Sequence, residues 1–208
     1  QTDGSQNNTI QNNTITLDRT YRNTFGLYSS TRHSSTDPVT VAEATAATGS
    51  NSNNKVYGNQ ISDVGYGVVM IGSGLSSAVI DSGNDIGGSS ASTGNTFTDW
   101  GGGSPLSTYI SFTTFNHAII VNQQVNDNVS FNNITSAALT QAVTTGGILK
   151  FYSVGQPAGT ITTNINNNTV TITNNPTAAT AGAISAINSQ GMTPQLATAT
   201  INMNNNIV

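Results

Sequence analysis

The chain has 208 residues, of which only 7% are charged, with a formal net charge of −4 and no cysteine. That length suffices for one domain with a buried interior; the scarcity of basic residues excludes a phosphate-neutralising stripe and hence nucleic acid as an expected partner, and the lack of cysteine excludes disulfides and thiolate metal sites. No apolar run approaches the roughly 20 residues that span a bilayer, so membrane insertion is not expected.

Residues 1–11 carry neither the basic nor the apolar part of a signal peptide, so the targeting segment of a secreted protein is expected outside this chain. The first patterned element is Asn13-Thr14-Ile15-Thr16. The same pattern returns at Asn59-Gln60-Ile61-Ser62, Asn95-Thr96-Phe97-Thr98, Asn132-Asn133-Ile134-Thr135, Asn168-Thr169-Val170-Thr171 and Asn205-Asn206-Ile207-Val208. The asparagines Asn13, Asn59, Asn95, Asn132, Asn168 and Asn205 lie 46, 36, 37, 36 and 37 residues apart. A fixed period of this size signals a repeat whose units bury their apolar faces by stacking on neighbours.

Within each motif polar and apolar residues alternate, which places Ile15, Ile61, Phe97, Ile134, Val170 and Ile207 on one strand face, the inside of the stack. Thr14, Thr96 and Thr169 then face outward. The marker asparagine is expected at a bend in left-handed backbone geometry, its amide hydrogen-bonding along a column.

A second apolar segment follows in most units, often opened by glycine: Gly26-Leu27-Tyr28, Gly67-Val68-Val69-Met70-Ile71, Ala118-Ile119-Ile120-Val121, Gly147-Ile148-Leu149-Lys150-Phe151 and Gly182-Ala183-Ile184-Ser185-Ala186-Ile187. A third precedes the next asparagine, as in Val129-Ser130-Phe131, Ile161-Thr162-Thr163-Asn164-Ile165 and Ile201-Asn202-Met203. The expected fold is all-β, a right-handed single-stranded parallel β-helix (β-solenoid) forming one domain over 1–208. It has about six coils of roughly 36 residues with three short strands each. Residues 29–54 form a loop insertion in the first coil, within which residues 39–48 suit a short helix or an extended loop.

The repeated Asn-x-Ile and Gly-Ile strands resemble the parallel β-helix repeat of pectate lyase-like proteins over nearly the whole chain. The stretch from Asn84-Asp85-Ile86-Gly87-Gly88 to Asn95-Thr96-Phe97 resembles the N-x-I-G-G unit of large secreted bacterial β-helix proteins. The resemblance implies a bacterial, extracellular or cell-surface setting.

Asp63 and Asp99 each lie four positions after a marker asparagine, which places them on adjacent levels of one column, on the order of 5 Å apart. Such a pair can share a proton, bind a cation or act as the carboxylates of a retaining glycosidase; each is also followed two residues later by glycine, the pattern of a turn. Asp81 and Asp85 flank Ser82-Gly83-Asn84 in a loop whose composition suits calcium, the one cofactor the sequence suggests, or a polar turn. His33, with Asp37 and Glu43 nearby, falls in the insertion and reads as an exposed loop; His117 reads as structural or merely exposed. Tyr57, Tyr66, Trp100, Tyr109 and Phe112 divide between sugar-stacking surface and interior packing.

Neither end of the chain carries a capping helix, so other copies or flanking repeats are the expected partners of its open coil ends. The leading functional expectation is a secreted structural or adhesive β-solenoid, such as a filament subunit or surface stalk, without catalytic residues. The competing expectation is a β-helix that binds or cleaves polysaccharide at the Asp63 and Asp99 column.

Overall fold

In the computed structural model, residues 2–21, 24–32, 44–74, 78–102, 115–140, 144–151, 159–175, 183–190 and 197–208 are described. Strands β1 (Thr9–Gln11), β2 (Thr14–Thr16) and β3 (Phe25–Ser30) are followed by β4 (Lys55–Tyr57), β5 (Gln60–Ser62) and β6 (Tyr66–Ile71). Next come β7 (Asp81–Ser82), β8 (Asp85–Ile86), β9 (Thr96–Trp100) and β10 (Phe115–Asn122), then β11 (Gln124–Val125), β12 (Asn128–Ser130), β13 (Asn133–Leu139) and β14 (Thr144–Phe151). The series ends with β15 (Gly159–Asn166), β16 (Thr169–Asn174), β17 (Ile184–Gln190) and β18 (Ala197–Asn202).

These strands form three stacked parallel sheets. The first has the order β1-β4-β8-β12-β15-β18, the second β16-β13-β9-β5-β2 and the third β17-β14-β10-β6-β3, with β7 and β11 pairing at the corner between third and first. Every register pair joins strands of successive repeats in parallel, as in Ile15 with Ile61, Ile61 with Phe97, Phe97 with Ile134 and Ile134 with Val170. The chain is therefore all-β with parallel stacked sheets, compatible with a β-solenoid. Among the described residues the only helical element is a 3-10 turn, Ala47–Gly49, so the described part of 39–48 is not α-helical.

Sequence alternation explains the second sheet. In β5 and β13 the apolar Ile61 and Ile134 are buried while Gln60, Asn133 and Thr135 face solvent. The core column Ile61, Phe97, Ile134 and Val170 packs with Val56, Ile86, Val129 and Ile165 from the first sheet and Val68, Met70, Ile119, Val121 and Ile148 from the third. Full burial of each such side chain stabilises by about 1.5–3 kcal/mol.

The third sheet reads differently because both of its faces are covered. Val68 and Met70 join the interior, whereas their neighbours Val69 and Ile71 form a second cluster with Tyr66, Ile120 and Leu149. A strand buried on both faces is written as a continuous apolar run, hence Val68-Val69-Met70-Ile71 and Ile119-Ile120-Val121.

The glycines that open these strands are set by the second sheet. A Cβ on Gly26 would lie 2.5 Å from Ile61 Cγ2, one on Gly67 2.4 Å from Phe97 Cδ1, and one on Gly147 2.5 Å from Val170 Cγ1. Large residues on one sheet thus fill the space left by small ones on the other, level by level.

Two expectations for the last repeat are corrected by a shift of one residue. The amide that continues the column from Asn168 is Asn206, not Asn205. Thr169 bridges to Ile207, so Ile207 is aligned with an outward threonine and is exposed rather than a member of the core column. Residues 204–206 are all asparagine, and Asn205 and Asn206 are each followed two positions on by an apolar residue, so hydrophobic spacing alone cannot choose between them. Phe131 is also not a strand residue: it takes a φ of 61° at the bend after β12.

Candidate functional site

The asparagine column is a continuous hydrogen-bond ladder. The backbone N–H of Asn13, Asn59, Asn95, Asn132 and Asn168 donates to Oδ1 of the next member at 3.0, 3.0, 3.2, 3.0 and 3.0 Å. Each Nδ2 donates to the same oxygen at 2.9–3.1 Å. From Asn59 onward, Nδ2 also reaches a carbonyl on the level below, namely those of Ile10, Val56, Ile86, Val129 and, for Asn206, Ile165. Interior members are buried, so these bonds satisfy bend groups that water cannot reach.

The left-handed residue of this bend is the one before the ladder member. Asn12, Gly58, Phe131, Asn167 and Asn205 have φ of 56°, 60°, 61°, 57° and 54°. In the remaining repeat Gly88, at 74°, opens the loop that returns at Asn95. The marker asparagines supply amides, and their predecessors supply the turn.

A second ladder, unforeseen in the sequence reading, lies at the corner where the third sheet passes to the first. Asn8 N–H donates to Asn54 Oδ1 at 3.1 Å and Asn54 N–H to Asn84 Oδ1 at 2.8 Å. Asn7, Asn53, Gly83 and Asn126 are left-handed before its successive levels. The signal was available: an Asn or Gly followed by Asn recurs five residues ahead of Asn13 and Asn59. Beside it runs a shorter column in which Ser5 N–H donates to Asn51 Oδ1 and Asn51 N–H to Asp81 Oδ1, both at 2.8 Å.

At this corner the amides give way to ionisable groups. Asp81 takes the column position of Asn51 on the next level and is buried; its Oδ2 accepts from Gln124 Nε2 at 3.0 Å. Burial pushes its carboxyl up to about 7, against the two bonds that favour the charged form. Asp127 lies in one column between Asn84 on the level before and Thr163 on the level after, as the register of Asn128 with Asp85 and Asn164 shows. Its Oδ1 accepts from Lys150 Nζ at 2.7 Å and from Thr163 Oγ1 at 2.8 Å. Both side chains of the ion pair are 1% exposed. Lys150 also donates to the Gln124 carbonyl, and burial lowers its pKa while Asp127 opposes the shift.

The paired carboxylates of the sequence reading are placed elsewhere. Asp63 and Asp99 do share a column, through the register of Ser62 with Thr98, and both are left-handed with φ of 52°. Asp99 is the extra residue of a bulge, since Thr98 pairs with Thr135 and Trp100 with Ser136. Asp63 lies 3.7 Å from Arg19 Nε, and Arg19 Nη1 continues to the Gly101 carbonyl at 3.1 Å, bridging three levels at the surface.

Asp85 does not converge with Asp81. Its Oδ2 accepts from Tyr57 Oη, and its Oδ1 from Gly88 N–H and Asn128 Nδ2 at 3.0 and 2.7 Å. Burial first and the neighbouring Asp85 second push the Tyr57 phenol up. Both carboxylate oxygens therefore already hold protein donors in a loop whose composition suggested calcium. Among the described residues no group of three or more His, Asp or Glu is arranged to hold a metal ion.

His117 is buried on the second-cluster face of the third sheet against Gly146, where a Cβ would lie 2.4 Å from Nε2, and desolvation holds its pKa down at about 3. Trp100 and Tyr66 are interior, 0% and 3% exposed, which removes them as sugar-stacking surface. His33, Asp37, Glu43, Tyr109 and Phe112 lie outside the described residues. No known protein family, curated protein or solved structure matches the chain.

Chemically, the corner holds buried amides, two carboxylates and one amine. The Asp63 and Asp99 column holds a surface turn and an ion pair that exposure limits to about 0–1 kcal/mol.

Proposed function

We propose that the chain is a right-handed β-helix of the pectate lyase-like kind, a single domain with about six coils. In this reading it serves as a non-enzymatic structural or adhesive rod at the bacterial cell surface or outside the cell. The observation that carries the reading is the asparagine ladder from Asn13 to Asn206 and the core column beside it, with all three sheets parallel over the described residues; among those residues the outermost strands β1, β2, β3, β17 and β18 pair on one side only. Such edges template further parallel strands, and heterologous stacking of this sort extends a rod without closing it.

The last level supports this. Val170, Ile172, Ile184, Ala186 and Val208 line an apolar cleft of about 380 Å³, and Ile184, Ile207 and Val208 are 54%, 66% and 85% exposed. In the reading proposed, the next parallel coil covers them, supplied by the same polypeptide or by another copy.

Micrographs of native material, with sizing of this chain over a range of concentrations, test the proposal. Rods that lengthen with concentration, or a longer parent chain whose repeats continue the register, are expected. A monodisperse particle whose terminal edges are covered by unrelated structure would overturn it. So would cleavage of an acidic polysaccharide that Asp63→Ala or Asp99→Ala abolishes, which would make the column an active site.

A further inference from the structure

Lys150 follows two apolar residues in its column. It is in register with Val121 of β10, which is in register with Met70 of β6, and both of those residues pack in the interior cluster. From this position its Nζ reaches across the corner to Asp127, on the level where the second ladder exchanges an amide for a carboxylate. A buried ion pair is expensive to desolvate unless all of its polar atoms are engaged. Here one is not: Asp127 Oδ2 is buried and has no hydrogen-bond partner among the described residues.

We propose that Lys150 and Asp127 become joined by an intramolecular amide bond, formed by the folded chain between Nζ and the Asp127 side-chain carbonyl carbon with release of one water. The site contains what this condensation requires. Nζ is held 2.7 Å from Oδ1 by the sheets on either side, which replaces a bimolecular encounter with a fixed one. Desolvation favours the neutral amine, the nucleophilic form of lysine.

Protons and atoms balance within the pair. The ammonium passes one proton to the carboxylate, giving an amine and a carboxylic acid. Nζ then attacks the carbonyl carbon, a further amine proton moves to the leaving oxygen, and the C–O bond breaks as water departs. No oxidant, metal or external reactant enters.

The hydrogen bonds identify which oxygen leaves. Oδ1 is retained as the amide carbonyl and keeps the Thr163 hydroxyl. The remaining N–H keeps the Gln124 carbonyl as its acceptor. Oδ2, the atom without a partner, is the one lost. Condensation thus removes two buried charges and an unsatisfied oxygen while preserving those contacts, and it staples the end of β14 to the corner ahead of β12.

The test is the intact mass of the folded, purified chain, measured after denaturation, together with a peptide map. The wild type is expected one water lighter than its sequence, with a branched peptide linking the segments that contain Asp127 and Lys150, and Lys150→Arg is expected at its full sequence mass. A wild type at full mass would overturn the proposal, as would a water loss that persists in Lys150→Arg or maps to another residue. If Lys150→Arg does not fold, the wild-type peptide map decides alone.

Discussion

Asp81→Asn tests whether the corner carboxylate is an amide position occupied by a charge. In the folded chain burial raises Asp81 from 3.8 to about 7. Between about pH 4 and 7 the native state therefore holds a proton that the unfolded chain has released. The stability from this group is fully present below about pH 4 and is lost as the pH rises through 7. At about 1.4 kcal/mol per pH unit, the ionised group at pH 8 costs about 4 kcal/mol relative to its protonated form. Asparagine keeps an acceptor for Asn51 N–H and, like the protonated acid, carries no charge, although its Nδ2 gives up the bond that Asp81 Oδ2 accepts from Gln124 Nε2.

Urea unfolding of both proteins at pH 4, 6 and 8 reads the difference. The variant should match the wild type within about 1 kcal/mol at pH 4 and exceed it by about 2–4 kcal/mol at pH 8. His117 shifts in the opposite sense, its folded value held at about 3 against 6.5, so its stability is complete above about pH 6.5 and drains as the pH falls toward 3. Removing Asp81 exposes that slope: the variant alone should gain stability steeply from pH 4 to 6.5. A variant less stable than the wild type at pH 8, or two parallel pH profiles, would refute the reasoning.

Asn95→Ala removes two donated and two accepted bonds at a buried bend and should cost about 3–5 kcal/mol in urea unfolding, whereas Asn13→Ala, at an exposed level, should cost about 1. Phe131 holds a left-handed φ that Asn12, Asn167 and Asn205 adopt at equivalent bends, so Phe131→Asn should raise stability by about 1 kcal/mol in the same assay. Gly67→Ala would place a methyl 2.4 Å from Phe97 Cδ1 and 2.8 Å from the Ala118 carbonyl, and should lower the thermal midpoint by an amount equivalent to about 1–3 kcal/mol.

The parallel stacking was legible in the sequence because it rests on two periodic signals that agree, an amide every 36 or 37 residues after the first interval and an apolar residue two positions later. Where the signals separate, legibility ends. At residues 204–206 the spacing of 37 and the apolar residue two positions on select Asn205, whereas the ladder member is Asn206, 38 residues after Asn168, as the pairing of Thr169 with Ile207 requires. Asp63 and Asp99 share one column, and the glycine two residues after each marks a turn, but the spacing does not write the left-handed φ of either. Lys150, written inside Gly147-Ile148-Leu149-Lys150-Phe151, looks like an outward polar residue of an apolar strand. Its inward position follows only from the register with Val121.

Amide ladders let this chain dispense with charge. A stack whose bends are closed by amides satisfies its buried backbone without ionic groups, and Asn8, Asn54 and Asn84 do so at the second corner as Asn59, Asn95 and Asn132 do at the first. Against that background, an aspartate at a ladder position is an exception that requires its own partner. Asp81 meets the requirement with two N–H donors and a shifted protonation equilibrium; Asp127 meets it with the buried lysine. The two carboxylates thus occupy neighbouring columns on successive levels yet resolve the same problem differently. For that reason a change of pH should act on Asp81, and a change of covalent structure on Asp127.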